Sequence, residues 1–165
     1  MATPNVSADW RRLYAKCESP IELHLGAAFL ATEQPIIPVV TKYVWDEVEE
    51  SGSLSGEPIT FLWAQESILR FRVDFLIARY NSITGFFRRL AVECDGHGYH
   101  GSIRQQKIDN IRDRKIRPHV GGIVHVTGAE IKRDAMAEAW KILWLLEFDD
   151  VRRVTVLPVK RRAVA

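Results

Sequence analysis

The chain is predicted to fold as one α/β domain with a central mixed β-sheet flanked by helices, on three observations. Segments with a two-residue apolar period occupy the middle of the sequence, segments with helical spacing flank them, and the order reads α, β, β, β, α, β, α. At 165 residues and 47% hydrophobic content the chain suits a single compact core. No internal repeat or clear boundary divides it. The expected organisation is an N-terminal extension over 1–18, the main domain over 19–148 with a long Ser/Gly-rich loop at 50–58, and a basic tail over 149–165.

The first helix is expected to start at Ser19, with Pro20 at its first position and Glu22 three residues after the cap. Ile21, Leu25, Ala28 and Phe29 form its apolar stripe. Ile59 to Ala64 reads as a strand that opens a three-stranded meander. Over Leu69 to Ala78, Leu69, Phe71, Val73, Phe75 and Ile77 alternate with Arg70, Arg72, Asp74 and Leu76, which predicts a half-buried strand with Asp74 opposite the apolar face. A turn at Asn81-Ser82 and Gly85 leads to the strand Phe87 to Asp95, in which Leu90, Val92 and Cys94 share one face and Ala91, Glu93 and Asp95 the other. A basic helix over Ser102 to Arg117 follows, its apolar contacts expected at Ile103, Ile108, Ile111 and Ile116, and Pro118 stops it. Gly121-Gly122 introduces a strand at Ile123 to Thr127. The final helix has Met136, Ala139, Trp140, Leu143 and Leu146 at helical spacing, with Trp140 and Trp144 expected as packing residues rather than base-stacking platforms.

Charge is distributed unevenly although the net value is only +2: acids crowd into Asp46 to Glu50 and Glu93 to Asp95, bases into 104–117 and Lys160 to Arg162. Two cysteines, Cys17 and Cys94, do not make a disulfide framework. With no apolar signal core at the N-terminus, and Ile142 to Leu146 far too short to span a bilayer, the expectation is a soluble cytoplasmic protein.

If the strands of Asp74 and Glu93/Asp95 form a hairpin, three carboxylates face one another across it. Like charges so placed repel, and a divalent cation removes the conflict. Cys94, His97 and His100 have spacing compatible with a second kind of metal site, a structural zinc centre. Strand alternation, however, turns Cys94 toward the core, and no fourth ligand follows at a standard interval.

Ser19-Pro20-Ile21-Glu22, Arg72-Val73-Asp74-Phe75, Ala91-Val92-Glu93-Cys94-Asp95-Gly96 and the helix with Lys107, Asp109, Arg112 and Asp113 together resemble the PD-(D/E)XK, restriction-endonuclease-like nucleases over residues 19–131. The tail Asp95-Gly96-His97-Gly98-Tyr99-His100 is similar to that of the small bacterial branch related to very-short-patch repair endonucleases. The resemblance implies a restriction-endonuclease-like fold and a Mg²⁺-dependent DNA endonuclease acting in repair or restriction, with Mn²⁺ as a substitute ion. It implies Asp74 and Glu93 as metal ligands, the Cys94 carbonyl and Asp95 as additional ones, and Glu22 as a first-helix glutamate near the metal. It departs from the family at Asp95, where lysine is usual, so the missing role is assigned first to His100, as proton carrier, and otherwise to Lys107, reaching in from the next helix to fix the nucleophile. Arg70, Arg72, Arg104, Lys107, Arg112 and Arg114 are the expected phosphate-binding residues. The same residues also admit a catalytically inactive module that binds nucleic acid or a protein partner on this fold. Each has a structural reading too: Glu22 suits a capping box with Ser19, and the charges of the basic helix suit a solvated face with Asp109 and Asp113 as partners.

Overall fold

The structure is a computed structural model and describes residues 7–39, 58–81, 86–96 and 103–148. Within them the chain forms α1 (Ala8–Tyr14), α2 (Pro20–Ala31), β1 (Ile36–Pro38), β2 (Ile59–Ile68), β3 (Phe71–Asn81), β4 (Phe86–Asp95), α3 (Ile103–Ile116), a 3₁₀ turn at Arg117–His119, β5 (Gly122–Thr127) and α4 (Gly128–Phe148). The strands lie in the order β1-β2-β3-β4-β5, antiparallel in the β2-β3-β4 meander and parallel at both flanks. This is a mixed α/β fold with a central mixed sheet flanked by helices, as the periodicities predict.

The parallel step from β4 to β5 needs a crossover, and α3 supplies it. The helices divide between the faces. Trp10 and Leu13 of α1, Leu25 and Phe29 of α2, and Ile131, Ile142 and Leu146 of α4 pack with Leu62, Phe75, Ile77, Leu90 and Val92 in the main core. A smaller cluster joins Ile116 and Val120, around the end of α3, to Ile68, Val73, Leu76 and Ala91. Residues 8–14, set apart by the sequence as an extension, therefore belong to the fold and bury Trp10 and Leu13.

Local chemistry explains the helix starts. Ser19 Oγ accepts from the Glu22 N–H at 3.3 Å, and Thr127 Oγ1 accepts from the Glu130 N–H at 3.2 Å while Glu130 Oε2 takes the Thr127 N–H at 2.9 Å. Each satisfies donors that a helix N-terminus leaves open. Asp134 interrupts α4 with φ −162° and ψ 84°, and its Oδ1 takes the Ala137 N–H at 2.9 Å, capping the second half of the helix.

Three expectations are corrected. The strand does not begin at Leu69: Leu69-Arg70 is the two-residue turn of the β2–β3 hairpin, with Ile68 paired to Phe71 and Leu69 at φ 58°. The buried stripe of α4 is Ala139, Ile142, Leu143 and Leu146, whereas Met136, Trp140 and Trp144 are exposed. Two helical stripes fit that segment equally well by spacing, and the break at Asp134 sets the rotation. On α3 only Ile116 of the described isoleucine side chains is buried, while Ile108 and Ile111 are about half exposed at 51% and 53%. Polar contacts, set out below, take the place of that apolar face.

Candidate functional site

The alternation of β3 changes sense at Asp74. Phe71 and Val73 pack with the α3-side cluster, yet Phe75 and Ile77, of the same parity, enter the main core. In β2, Ile68 lies on the α3 side and Ala64 and Leu62 in the main core, so the inversion runs through both strands. Its locus is the pair Gln65 and Asp74, between the paired positions Ala64↔Phe75 and Glu66↔Val73, where Gln65 adopts φ 54°. A strict two-residue period cannot describe a strand whose pleat reverses. Asp74 is thus not simply in line with Arg72, as the period predicts, but stands at the reversal.

Beyond Phe75↔Val92 the described ladder between β3 and β4 ends, while β4 stays paired with β5 out to Asp95↔Thr127. Asp74 occupies this parting: its Oδ2 accepts the Cys94 N–H at 2.7 Å. Gln65 Nε2 donates to Glu22 Oε2 at 2.8 Å and to Asp74 Oδ1 at 3.4 Å, joining the carboxylates of α2 and β3. Glu22 is buried and also accepts from the Glu18 N–H at 2.8 Å and from Ser19 Oγ at 2.6 Å. Its capping role and its place beside Asp74 coexist.

Glu93, 8% exposed, meets the Arg112 guanidinium of α3 in an ion pair. Asp113, the next residue of α3, lies 2.9 Å from His125 Nε2, and His125 Nδ1 lies 3.3 Å from Asp95 Oδ2. The helix is therefore held to the sheet by charge and hydrogen bonds. Burial pushes the Glu93 carboxyl up to about 7, against the opposing pull of Arg112, and the negative charge of Asp74 adds to the rise. Burial likewise raises Asp74, opposed by the Cys94 N–H and reinforced by Glu22. Burial lowers the tendency of His125 to hold a proton, but the hydrogen bond and charge of Asp113, with Asp95 and Glu93, outweigh it and leave its pKa raised.

The remaining sequence-derived residues separate from this centre to different degrees. Lys107 is exposed on α3 and, among the described residues, the α3 cation that meets a carboxylate of the strands is Arg112. Five residues along a helix is about 140° of rotation, which puts the two on different faces. Arg70 lies over the Phe71 ring at 5.3 Å, and Arg72 pairs with Glu18 at 2.7 Å with both side chains about half exposed. Arg114 lines a shallow depression with Arg117, Asn110 and Asp113. His97, His100 and the Arg104 side chain lie outside the described residues.

Cys94 packs against the main core, and burial, reinforced by Asp74 and Glu22, raises its thiol far above the ordinary range; Cys17 is pushed up to about 12. The Cys94 side chain thus turns toward the core, as strand alternation predicts. Sequence reasoning missed Gln65, His125 and the partnership of Arg112 with Glu93. The only local signals were a polar residue at 65 where the apolar run Ile59 to Ala64 gives way to Gln65-Glu66-Ser67, and His125 one position from buried Val126.

Comparison of the chain with protein-family models, with curated proteins and with solved structures finds no match. Among the described residues no group of three or more His, Cys, Asp or Glu side chains is placed to hold a metal ion, and no helix is long and apolar enough to cross a membrane. Mg²⁺ requires less than such a group, since one or two carboxylates suffice beside water and phosphate oxygen. Asp74 and Glu93 are hard oxygen donors at neighbouring strand positions, and the charge of one is felt at the other. On donor chemistry the pair suits that ion.

Proposed function

We propose that the protein is a restriction-endonuclease-like, Mg²⁺-dependent endonuclease that hydrolyses phosphodiester bonds in DNA. One observation carries this reading. Where β3 and β4 part, half-buried Asp74 is joined through Gln65 to buried Glu22 and acts by its charge on buried Glu93, an arrangement that is unfavourable for a fold alone and useful for chemistry on an anion. Perturbed carboxyls gathered at a strand end suit the handling of a cation and the phosphate it brings.

Asp74 and Glu93 would hold the ion, with Asp95 and the Cys94 carbonyl next to them on β4. Bound Mg²⁺ supplies a Lewis acid for the phosphoryl oxygen and a more acidic water. The chain's own residues do the rest. The Cys94 N–H and Gln65 fix the Asp74 carboxylate, and Ser19, the Glu18 N–H and Gln65 fix Glu22. Arg112 supplies the positive charge that the Asp95 position lacks. His100 remains the assigned proton carrier, and Arg70, Arg72, Arg104, Lys107 and Arg114 the phosphate-binding set, so complex formation should weaken steeply as salt rises.

A second reading has an observation of its own. Arg112 already neutralises Glu93, which suits a module that binds nucleic acid without cutting it. Supercoiled plasmid incubated with Mg²⁺ or Mn²⁺ decides between the two. Cleavage that chelator stops and that Asp74→Ala and Glu93→Ala abolish is the expected result. DNA retained by wild type and both variants, with no strand cut, establishes the binding module instead.

A further inference from the structure

We infer that Gln65 is a positioning residue of the carboxylate site, tying Glu22 to Asp74 beside the place proposed for a divalent cation; this rests on the metal-dependent reading above. Three features of one residue converge. Its side-chain amide nitrogen donates to carboxylates from two different elements, Glu22 Oε2 at 2.8 Å and Asp74 Oδ1 at 3.4 Å. Carboxylates only accept, so these two contacts fix which end of the amide is nitrogen. Its backbone sits at φ 54°, a left-handed conformation that a residue with a side chain rarely adopts, at the position where the pleat of β2 and β3 reverses. Its carbonyl oxygen Oε1 is buried, with no hydrogen-bond partner among the described residues. The half-buried amide thus spends its nitrogen on two anions and leaves a buried acceptor atom unpaired, which strand pairing does not call for.

The chemistry of an amide suits this place better than that of any charged side chain. Lysine or arginine would neutralise the carboxylates and compete with a metal ion for them. A third carboxylate would repel them. Glutamine orients both oxygens while leaving their negative charge for the ion, and its own oxygen adds a neutral acceptor for a hydrogen that the protein does not supply. Outer residues of this kind tune metal sites by fixing the ligands rather than by touching the ion.

The test uses the full chain as wild type, Gln65→Met and Gln65→Glu, with Mn²⁺ alone as the probe. Free Mn²⁺ is followed by paramagnetic resonance and thermal midpoints are taken with and without the ion. Gln65→Met, similar in length but without the amide, should weaken Mn²⁺ binding by about 10- to 100-fold, with kcat for plasmid cleavage reduced and KM for DNA unchanged. Gln65→Glu should lower the metal-free midpoint and show a larger Mn²⁺-induced rise than wild type, because the cation relieves a third negative charge. A purely structural glutamine predicts lower midpoints in both variants with Mn²⁺ affinity per folded molecule unchanged, and that result overturns the inference. Should Gln65→Met fail to fold, Gln65→Glu decides by the same criterion: an ion-induced rise equal to that of wild type counts against the positioning role. Wild type that takes up no Mn²⁺ removes both this inference and the metal-dependent reading, whereas wild type that binds and cleaves beside an unaltered Gln65→Met removes this inference alone.

Discussion

Replacing Glu93 by glutamine should flatten the dependence of stability on pH. The carboxyl is 8% exposed, and burial raises it from 4.5 to about 7 despite the Arg112 guanidinium against it. A folded-state pKa above the unfolded one means that the native chain binds the proton more tightly. The stabilisation is therefore complete below the unfolded value and is lost as pH climbs through the folded one. A shift from 4.5 to about 7, at ~1.4 kcal/mol per unit, corresponds to about 3 kcal/mol of unfolding free energy lost across that window. Asp74 and His125, both raised, add losses of the same sign, Asp74 from the acidic side and His125 from near neutrality upward. Urea unfolding of wild type and Glu93→Gln with chelator present, from about pH 5 to about pH 8, separates these contributions. Wild-type stability should fall with rising pH and the variant should fall by markedly less, so that the two curves, nearest in acid where the carboxyl is neutral like the amide, separate toward and above neutrality in favour of the variant. Parallel curves would refute the reasoning, because they would mean that Glu93 is already ionised throughout and that Arg112, not burial, governs it.

Other outcomes follow from particular contacts. Phe75, fully buried and edge-on to Phe29 at 6.0 Å between ring centroids, should cost about 3–5 kcal/mol when replaced by alanine, measured by urea unfolding. Leu69→Gly should raise the thermal midpoint slightly, by relief of at most ~1 kcal/mol, since a leucine 59% exposed at φ 58° gives up strain and no core contact. Arg72→Ala should change unfolding free energy by no more than about 1 kcal/mol, its ion pair with Glu18 being largely solvated, while titration of a DNA duplex at several salt concentrations should show the log–log slope reduced by about 1.

Much of the architecture was legible because it rests on local rules. The Ser19-to-Glu22 capping box, the alternation in β4 and the Pro118 stop each follow from spacing within a few residues, and the structure places all three where the spacing predicts. Stretches with two equally good periods were not legible in that way. On α4, stripes containing Trp140 or Ile142 both satisfy helical spacing, and only the break at Asp134 and the sheet beneath choose between them. On α3, isoleucine content implies an apolar face that the structure replaces with Arg112 on Glu93 and Asp113 on His125.

The same division runs through the candidate site. Which residue types take part, carboxylates on consecutive strands and a glutamate in a capping box, was determined by the amino-acid order, because those positions are set by local period and turn chemistry. Who touches whom was decided by tertiary structure alone. Gln65 reaches Glu22 across 43 positions, and Asp74 reaches the Cys94 N–H across 20. These contacts exist because β3 leaves β4 at Asp74 and the pleat reverses there, and a reversal of pleat arises from neighbouring strands and helices rather than from the alternation of the strand itself.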